Sequence, residues 1–202
     1  MRVVLATRNK GKLRELAPLL GGLGLELCTI DEVTPDAELR EDADTFEENA
    51  LAKARQAAAA TGLPAIADDS GLEVDALGGA PGVFSARYAG PVADDARNNA
   101  KLLEALRDVP DGRRGGRYRC IAAYVDRARG LEITRGGDCA GEILRAARGD
   151  GGFGYDPLFF LPALGRTMAE LPLDEKNGLS HRAAAFRALA AALGAAGVTA
   201  GS

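Results

Sequence analysis

Two carboxylates, Asp68 and Asp69, stand side by side where the apolar residues 65–67 give way to Ser70-Gly71. Like charges at that distance repel and raise each other's pKa, so a cation or a proton has to be shared between them. Glu41, in ELREDADTF, supplies a third carboxylate just ahead of a capped helix. Three carboxylates with no thiol or histidine cluster nearby suit a hard cation such as Mg²⁺, which takes few protein carboxylates and keeps waters and substrate phosphates. Plainer accounts stand beside this one. Glu41 also reads as a surface or helix-dipole charge next to Asp42 and Asp44, and the doublet as an Asx-capped turn.

Other stretches carry the remaining polar chemistry. TRNKGK, residues 7–12, falls between an expected strand and an expected helix, where phosphates dock on backbone N–H groups. Thr7 and Asn9 add donors there, and Lys10 and Lys12 add charge. It is neither a P-loop nor a G-x-G-x-x-G fingerprint, and a polar turn with solvated lysines is the simpler account of it taken alone. Asn49 and Lys53 share a helix face at i, i+4, so Lys53 is either a phosphate ligand or a solvated cation. In GGFGYDP, 151–157, the glycines admit close backbone approach. Phe153 and Tyr155 either stack on a flat ring or belong to the core, and Asp156 can accept a hydrogen bond. EKNGLSHR, 175–182, holds His181, the one histidine of the sequence, followed by Arg182 at an expected helix start. The helix dipole disfavours a cation at that end, which points to a ligand, as the aspartate pair does.

The elements that must position these residues alternate in type. Apolar runs predict strands over 2–6, 25–30 and, very short, 65–67. Helices are expected over 11–20, where Pro18 should kink or end the helix, and over TFEENALAKARQAAAAT, with Thr45 and Glu48 as a capping box and Gly62 as the stop. A Gly/Pro connection at 78–82 leads to a short helix, and 93–107 reads as a longer one. Residues 117–127 and 131–138 read as a hairpin closed by 128–130. The apolar LFFLP follows the glycine-dense loop, and an alanine-rich helix spans about 180–196. The expectation is a single α/β domain over 1–202, with a mixed sheet carrying an extra hairpin lobe.

Composition bounds the partners. The 25 basic residues are outnumbered by 29 acidic ones, which argues against a basic stripe for nucleic acid. Cys28, Cys120 and Cys139 are odd in number and show no C-x-x-C spacing, so buried thiols in a reducing compartment are expected rather than disulfides or zinc. No apolar run is long enough for a signal peptide or a bilayer span. The chain is therefore expected to be soluble and cytoplasmic, with no nucleic-acid or membrane partner.

In the same order along nearly the whole chain, VVLATRNKGKLREL, TFEENALAKA, PAIADDSGLEVDALGGAPGVFSARY, GGFGYDP and EKNGLSHR resemble the Ham1/RdgB-like inosine triphosphate pyrophosphatase family. The resemblance implies an α/β fold with a long twisted mixed sheet flanked by helices, two lobes with the substrate cleft between them, and a homodimer. It implies hydrolysis of the deaminated purine nucleotides ITP, dITP and XTP to a monophosphate and pyrophosphate. By the same likeness Thr7, Asn9 and Lys12 hold the triphosphate together with Lys53, and Arg8, Lys10 and Gly11 complete that turn. Glu41, Asp68 and Asp69 surround Mg²⁺, Asp69 is the general base, and Ser70 touches the substrate. Phe153, Gly154, Tyr155, Asp156, Lys176, His181 and Arg182 enclose the base.

Two other readings are open to direct tests. An aspartyl-phosphate phosphatase of the haloacid-dehalogenase type wants D-x-D, whereas this chain has Asp68-Asp69-Ser70. A nucleotide sensor would bind triphosphate in Mg²⁺ without releasing pyrophosphate.

Overall fold

The computed structural model describes residues 1–8, 10–92 and 94–200. Its elements in chain order are β1 (Arg2–Leu5), α1 (Lys10–Leu20), β2 (Glu26–Thr29), α2 (Phe46–Thr61), β3 (Ala65–Val74), α3 (Asp95–Ala105), β4 (Gly115–Asp126), β5 (Leu131–Ile143), β6 (Phe159–Leu161), β7 (Arg166–Thr167), α4 (Leu173–Leu179) and α5 (His181–Ala195), with short 3₁₀ turns between them. Among the described residues the strands form a seven-stranded sheet in the order β2-β1-β3-β4-β5-β6-β7. β1 pairs in parallel with both β2 and β3, while β6 pairs antiparallel with β5 and β7. The sheet is therefore mixed, and helices flank it. No helix among the described residues is long and apolar enough to cross a membrane.

Local signals settle the helices. α2 begins at Thr45, whose hydroxyl oxygen accepts from the Glu48 N–H at 3.1 Å and whose O–H donates to the Glu48 carboxylate at 2.9 Å. It ends at Gly62, whose left-handed φ of 70° lets its N–H cap the Ala58 carbonyl. α1 runs to Leu20, where the sequence reading ends it, and Pro18, expected to kink or end the helix, does not end it. Proline removes one backbone bond, but Leu16 and Leu20 are buried on the same helix face, and burying them outweighs that loss. α3 starts later than the sequence suggests, at an Asp94 cap whose side chain accepts from the Arg97 N–H. Ala93 lies outside the described residues.

The chain divides into two compact units. The first comprises Met1–Asp69, Cys120–Gly137 and His181–Ser202. Its core joins Val3, Leu5 and Ile66 of the parallel strands, Cys120 and Tyr124 of β4, Leu16 and Leu20 of α1, and Phe186, Leu189 and Leu193 of α5. β5 passes α5 closely at Gly137: a Cβ there would collide with the His181 carbonyl oxygen and the Ala185 nitrogen. The second unit comprises Ser70–Arg119 and Asp138–Ser180. Its core packs Leu72 and Val74 of β3, Leu102 and Leu106, Tyr118, Ile143, Tyr155, Phe159 and Met168. Arg114 is buried there and donates to the carbonyls of Leu106, Ile143 and Leu144 at 2.6–3.1 Å, which ties the end of α3 to β5. All three cysteines are thiols, with Cys28 and Cys120 buried.

The largest departure from the sequence reading is β3. In place of a three-residue strand ending at the aspartates, a ten-residue strand runs through Asp68, Asp69, Ser70 and Gly71. Residues 65–69 are all buried, so the doublet lies inside the sheet and not in a turn.

Candidate functional site

A strand alternates its side chains between the two faces of a sheet, and this separates the doublet. Asp68 meets α1 and α5. Its carboxylate accepts from Lys12 Nζ at 3.0 and 3.1 Å and from Arg182 Nε at 3.2 Å. Asp69 meets α2, with its Oδ1 3.9 Å from Lys53 Nζ. The same ammonium lies 2.9 Å from Glu41 Oε1 and donates to the Asp68 main-chain carbonyl at 2.5 Å. Two adjacent carboxylates are thus tolerated because each has its own cation on its own face. Asp68 is matched by Lys12 and Arg182, and Asp69 with Glu41 by Lys53.

Burial alone would raise the Asp68 carboxyl pKa, but Lys12, Arg182 and Lys53 together hold it well below the usual carboxylate range. Asp68 therefore stays ionised. Its partners also answer the puzzle of Arg182. A buried guanidinium at the start of α5 is set against a buried carboxylate, which offsets the unfavourable helix dipole. Cys120, on β4, is pushed to higher pKa by burial first and by Asp68 second, so it remains a thiol and takes no nucleophilic part.

The three expected metal carboxylates are not gathered into one group. Among the described residues no cluster of three or more His, Cys, Asp and Glu is placed to hold a metal ion. Glu41 and Asp69 instead share the Lys53 ammonium, a positive charge held between hard oxygen donors. That donor set fits Mg²⁺, which commonly takes one or two carboxylates and completes its shell with water and phosphate. Lys53 is only 6 % exposed and so is not a solvated lysine.

The turn after β1 is partly assigned. Thr7 donates its N–H to the Leu5 carbonyl at 2.8 Å. The Arg8 guanidinium turns toward the segment after β2, pairing with Asp31 at 3.1 Å and donating to the carbonyls of Pro35 and Ala37 at 3.2 and 2.8 Å. Asn9 lies outside the described residues, as does the side chain of Lys10, and Gly11 is described only as a residue of α1. His181 is the first residue of α5 and is half-buried.

In the second unit, Ser70 follows the doublet along β3, and the glycine-rich loop forms a group of its own. Its aromatics divide. Phe153 is 59 % exposed, with the Lys176 ammonium 4.6 Å from its ring centre. Tyr155 is 4 % exposed and donates its hydroxyl to the Ser85 carbonyl at 2.8 Å. The sequence leaves both roles open for both rings; Phe153 alone has a face available for stacking. Asp156 is buried and accepts from Lys176 Nζ at 2.6 Å, the Phe153 N–H at 2.9 Å and the Tyr118 hydroxyl at 3.2 Å. It sets the loop's shape from inside. The Tyr118 phenol is pushed up by burial and then by Asp156, so it serves as a donor.

The sequence reading misses three residues that shape this loop and one that shapes the cluster. Asp95 and Asn99, one turn apart on α3, grip Gly154: Asp95 accepts its N–H at 2.7 Å and Asn99 donates to its carbonyl at 2.9 Å. Tyr118 anchors Asp156. Gln56 holds the Arg40 backbone beside Glu41. Only the i, i+4 spacing of Asp95 and Asn99 was visible as a signal, and it does not name a target.

A family model described as the Ham1 family matches residues 3–192. A dITP/XTP pyrophosphatase of Geobacter sulfurreducens is 54 % identical over 197 residues, covering 98 % of each chain. Among solved structures, a HAM1 protein from Coxiella burnetii superposes with a TM-score of 0.90 at 44 % identity, covering 96 % of this chain and 99 % of its own. The Staphylococcus aureus Ham1 protein does so with a TM-score of 0.89 at 38 % identity, covering 97 % and 100 %. With the family model matching residues of both units, from 3 to 192, the chain belongs to the Ham1 family.

Proposed function

We propose that the protein hydrolyses deaminated purine nucleoside triphosphates, ITP, dITP and XTP, to the monophosphate and pyrophosphate in a Mg²⁺-dependent reaction. The observation that carries the reading is the charge-matched cluster around β3: two buried carboxylates on opposite faces, each with its own lysine, in a family whose relatives bear the name dITP/XTP pyrophosphatase. Residues 1–202 act as one functional domain in this reading, as a homodimer in the cytoplasm.

In the proposed reaction Asp69 holds a water and takes its proton as that oxygen attacks the α-phosphorus in line. The bond from water oxygen to phosphorus forms while the bond to the pyrophosphate oxygen breaks. Phosphoryl transfer of this kind needs positioning and charge neutralisation more than covalent chemistry. Lys12, with Thr7 and Asn9, binds the triphosphate and offsets charge on the departing pyrophosphate. Asp68 keeps Lys12 and Arg182 in place. Glu41 and Asp69 would hold Mg²⁺, which supplies charge neutralisation at the phosphates. Lys53, fixed between them, sets their spacing, and Ser70 contacts the substrate.

Base selection follows from hydrogen-bond polarity. Hypoxanthine and xanthine present an acceptor oxygen at the 6-position, and adenine presents a donor amine there. Donors from His181 and Arg182 match the oxygen and oppose the amine, a contrast that a polar site converts to about 10⁴-fold discrimination. Phe153 stacks on the purine, with Gly154, Tyr155, Asp156 and Lys176 holding that ring in place.

A panel of nucleoside triphosphates, scored for pyrophosphate against orthophosphate, tests the reading. ITP, dITP and XTP should release pyrophosphate, and ATP should be turned over about 10⁴-fold less efficiently. Release of orthophosphate, or equal rates on ATP and ITP, would contradict it.

A further inference from the structure

Glu41 lies on a segment with neither helix nor strand, residues 37–43, yet that segment is tied down on both sides of it. Gln56 grips one flanking residue: its Oε1 accepts the Arg40 N–H at 2.9 Å and its Nε2 donates to the Arg40 carbonyl at 3.2 Å. Asn49 grips the other: its Oδ1 accepts the Ala43 N–H at 2.9 Å and its Nδ2 donates to the Ala43 carbonyl at 3.3 Å. Between them Lys53 meets the Glu41 carboxylate. Positions 49, 53 and 56 recur at i, i+4 and i+7, so one face of α2 presents amide, ammonium and amide in a row. Each amide pairs with both backbone groups of one residue, as a neighbouring strand would.

We propose that Gln56 and Asn49 are positioning residues for Glu41, presenting its carboxylate at a fixed reach from Asp69 and so setting the affinity of this chain for a divalent cation. The proposal rests on the reading of Glu41 as a metal carboxylate. Without the two amides the segment would have to be ordered when the ion binds, and that ordering would be subtracted from the affinity. Residues that orient a metal ligand without touching the metal typically change affinity about 10–100-fold when removed.

The test is direct binding of Mn²⁺ to the full chain without nucleotide, followed by electron paramagnetic resonance, on the native protein and on Gln56→Ala, Gln56→Glu, Asn49→Ala and Glu41→Gln. Gln56→Ala should weaken Mn²⁺ by about tenfold, and Gln56→Glu, which keeps the acceptor for Arg40 N–H but loses the donor, should fall between. The Mg²⁺ concentration that half-saturates turnover should rise by the same factor, with kcat recovered at saturating Mg²⁺. Asn49 is buried, so its variant is read beside a melting curve; Gln56 carries the test if Asn49→Ala fails to fold. Native Mn²⁺ affinity in Gln56→Ala, with Glu41→Gln weakened, overturns the positioning role and leaves the metal reading standing. Native affinity in Glu41→Gln overturns both.

Discussion

Asp69→Asn should lower kcat on ITP by about 10²–10⁴-fold, the range expected when a general base is removed, while KM changes little. The substitution keeps the side chain's shape but removes its charge and with it the ability to take a proton. Because the same charge faces Lys53 and is proposed to hold Mg²⁺, kcat is compared at saturating Mg²⁺. It also leaves the packing intact, because Lys53 retains Glu41 at 2.9 Å and the Asp68 carbonyl at 2.5 Å. Pyrophosphate release measured beside a melting curve separates the two effects: a large kcat loss at an unchanged Tm. A kcat within tenfold of the native protein would remove Asp69 from the proton-transfer step.

Asp68→Ala should act in the opposite way, on stability first. Asp68 and Arg182 are both buried and lie 3.2 Å apart, with Lys12 on the other carboxylate oxygen at 3.0 Å. Deleting one member of a buried ion pair leaves the other in low dielectric without the charge it faces, at a cost of about 3–5 kcal/mol. For a chain of this length that corresponds to a fall in Tm of about 6–20 °C. The pH dependence has a definite sign. The folded pKa of Asp68 is depressed against the opposition of burial by Lys12, Arg182 and Lys53, so its contribution is fully present above the unfolded value of about 3.9. It is lost as pH falls from there through the folded value. The difference in stability between the native protein and Asp68→Ala should therefore be flat between about pH 5 and pH 8 and should shrink below about pH 4. Equal melting temperatures at neutral pH would show that the pair contributes nothing.

What the sequence makes legible is what depends on neighbours along the chain. The cap at Thr45, the stop at Gly62, the hairpin turn and the start of α5 at His181 each rest on contacts within four residues or so, and each lies where its local signal puts it. β3 is the opposite case. AIADDSGLEV shows no clean alternation because both faces are covered, and a pattern read by alternation stops at the first charge. The Asp68 charge is compatible with the strand through Lys12, 56 residues away, and Arg182, 114 residues away, and the Asp69 charge faces Lys53 of α2. The oddity of Arg182 at a helix start is visible in the sequence; its carboxylate partner is not. Phe153 and Tyr155, two residues apart, are indistinguishable by type and separate only when the Ser85 carbonyl and the Asp95–Asn99 grip are in place. The amides around Glu41 are ordinary polar residues of an amphipathic helix until the segment they hold lies against them.

The central claim is that water, aligned by Asp69, attacks the innermost phosphorus. Hydrolysis of ITP in ¹⁸O-labelled water, with both products examined by mass spectrometry, tests it most directly. The account predicts one ¹⁸O in the inosine monophosphate and none in the pyrophosphate; label in the pyrophosphate would place the attack at the β-phosphorus and contradict it.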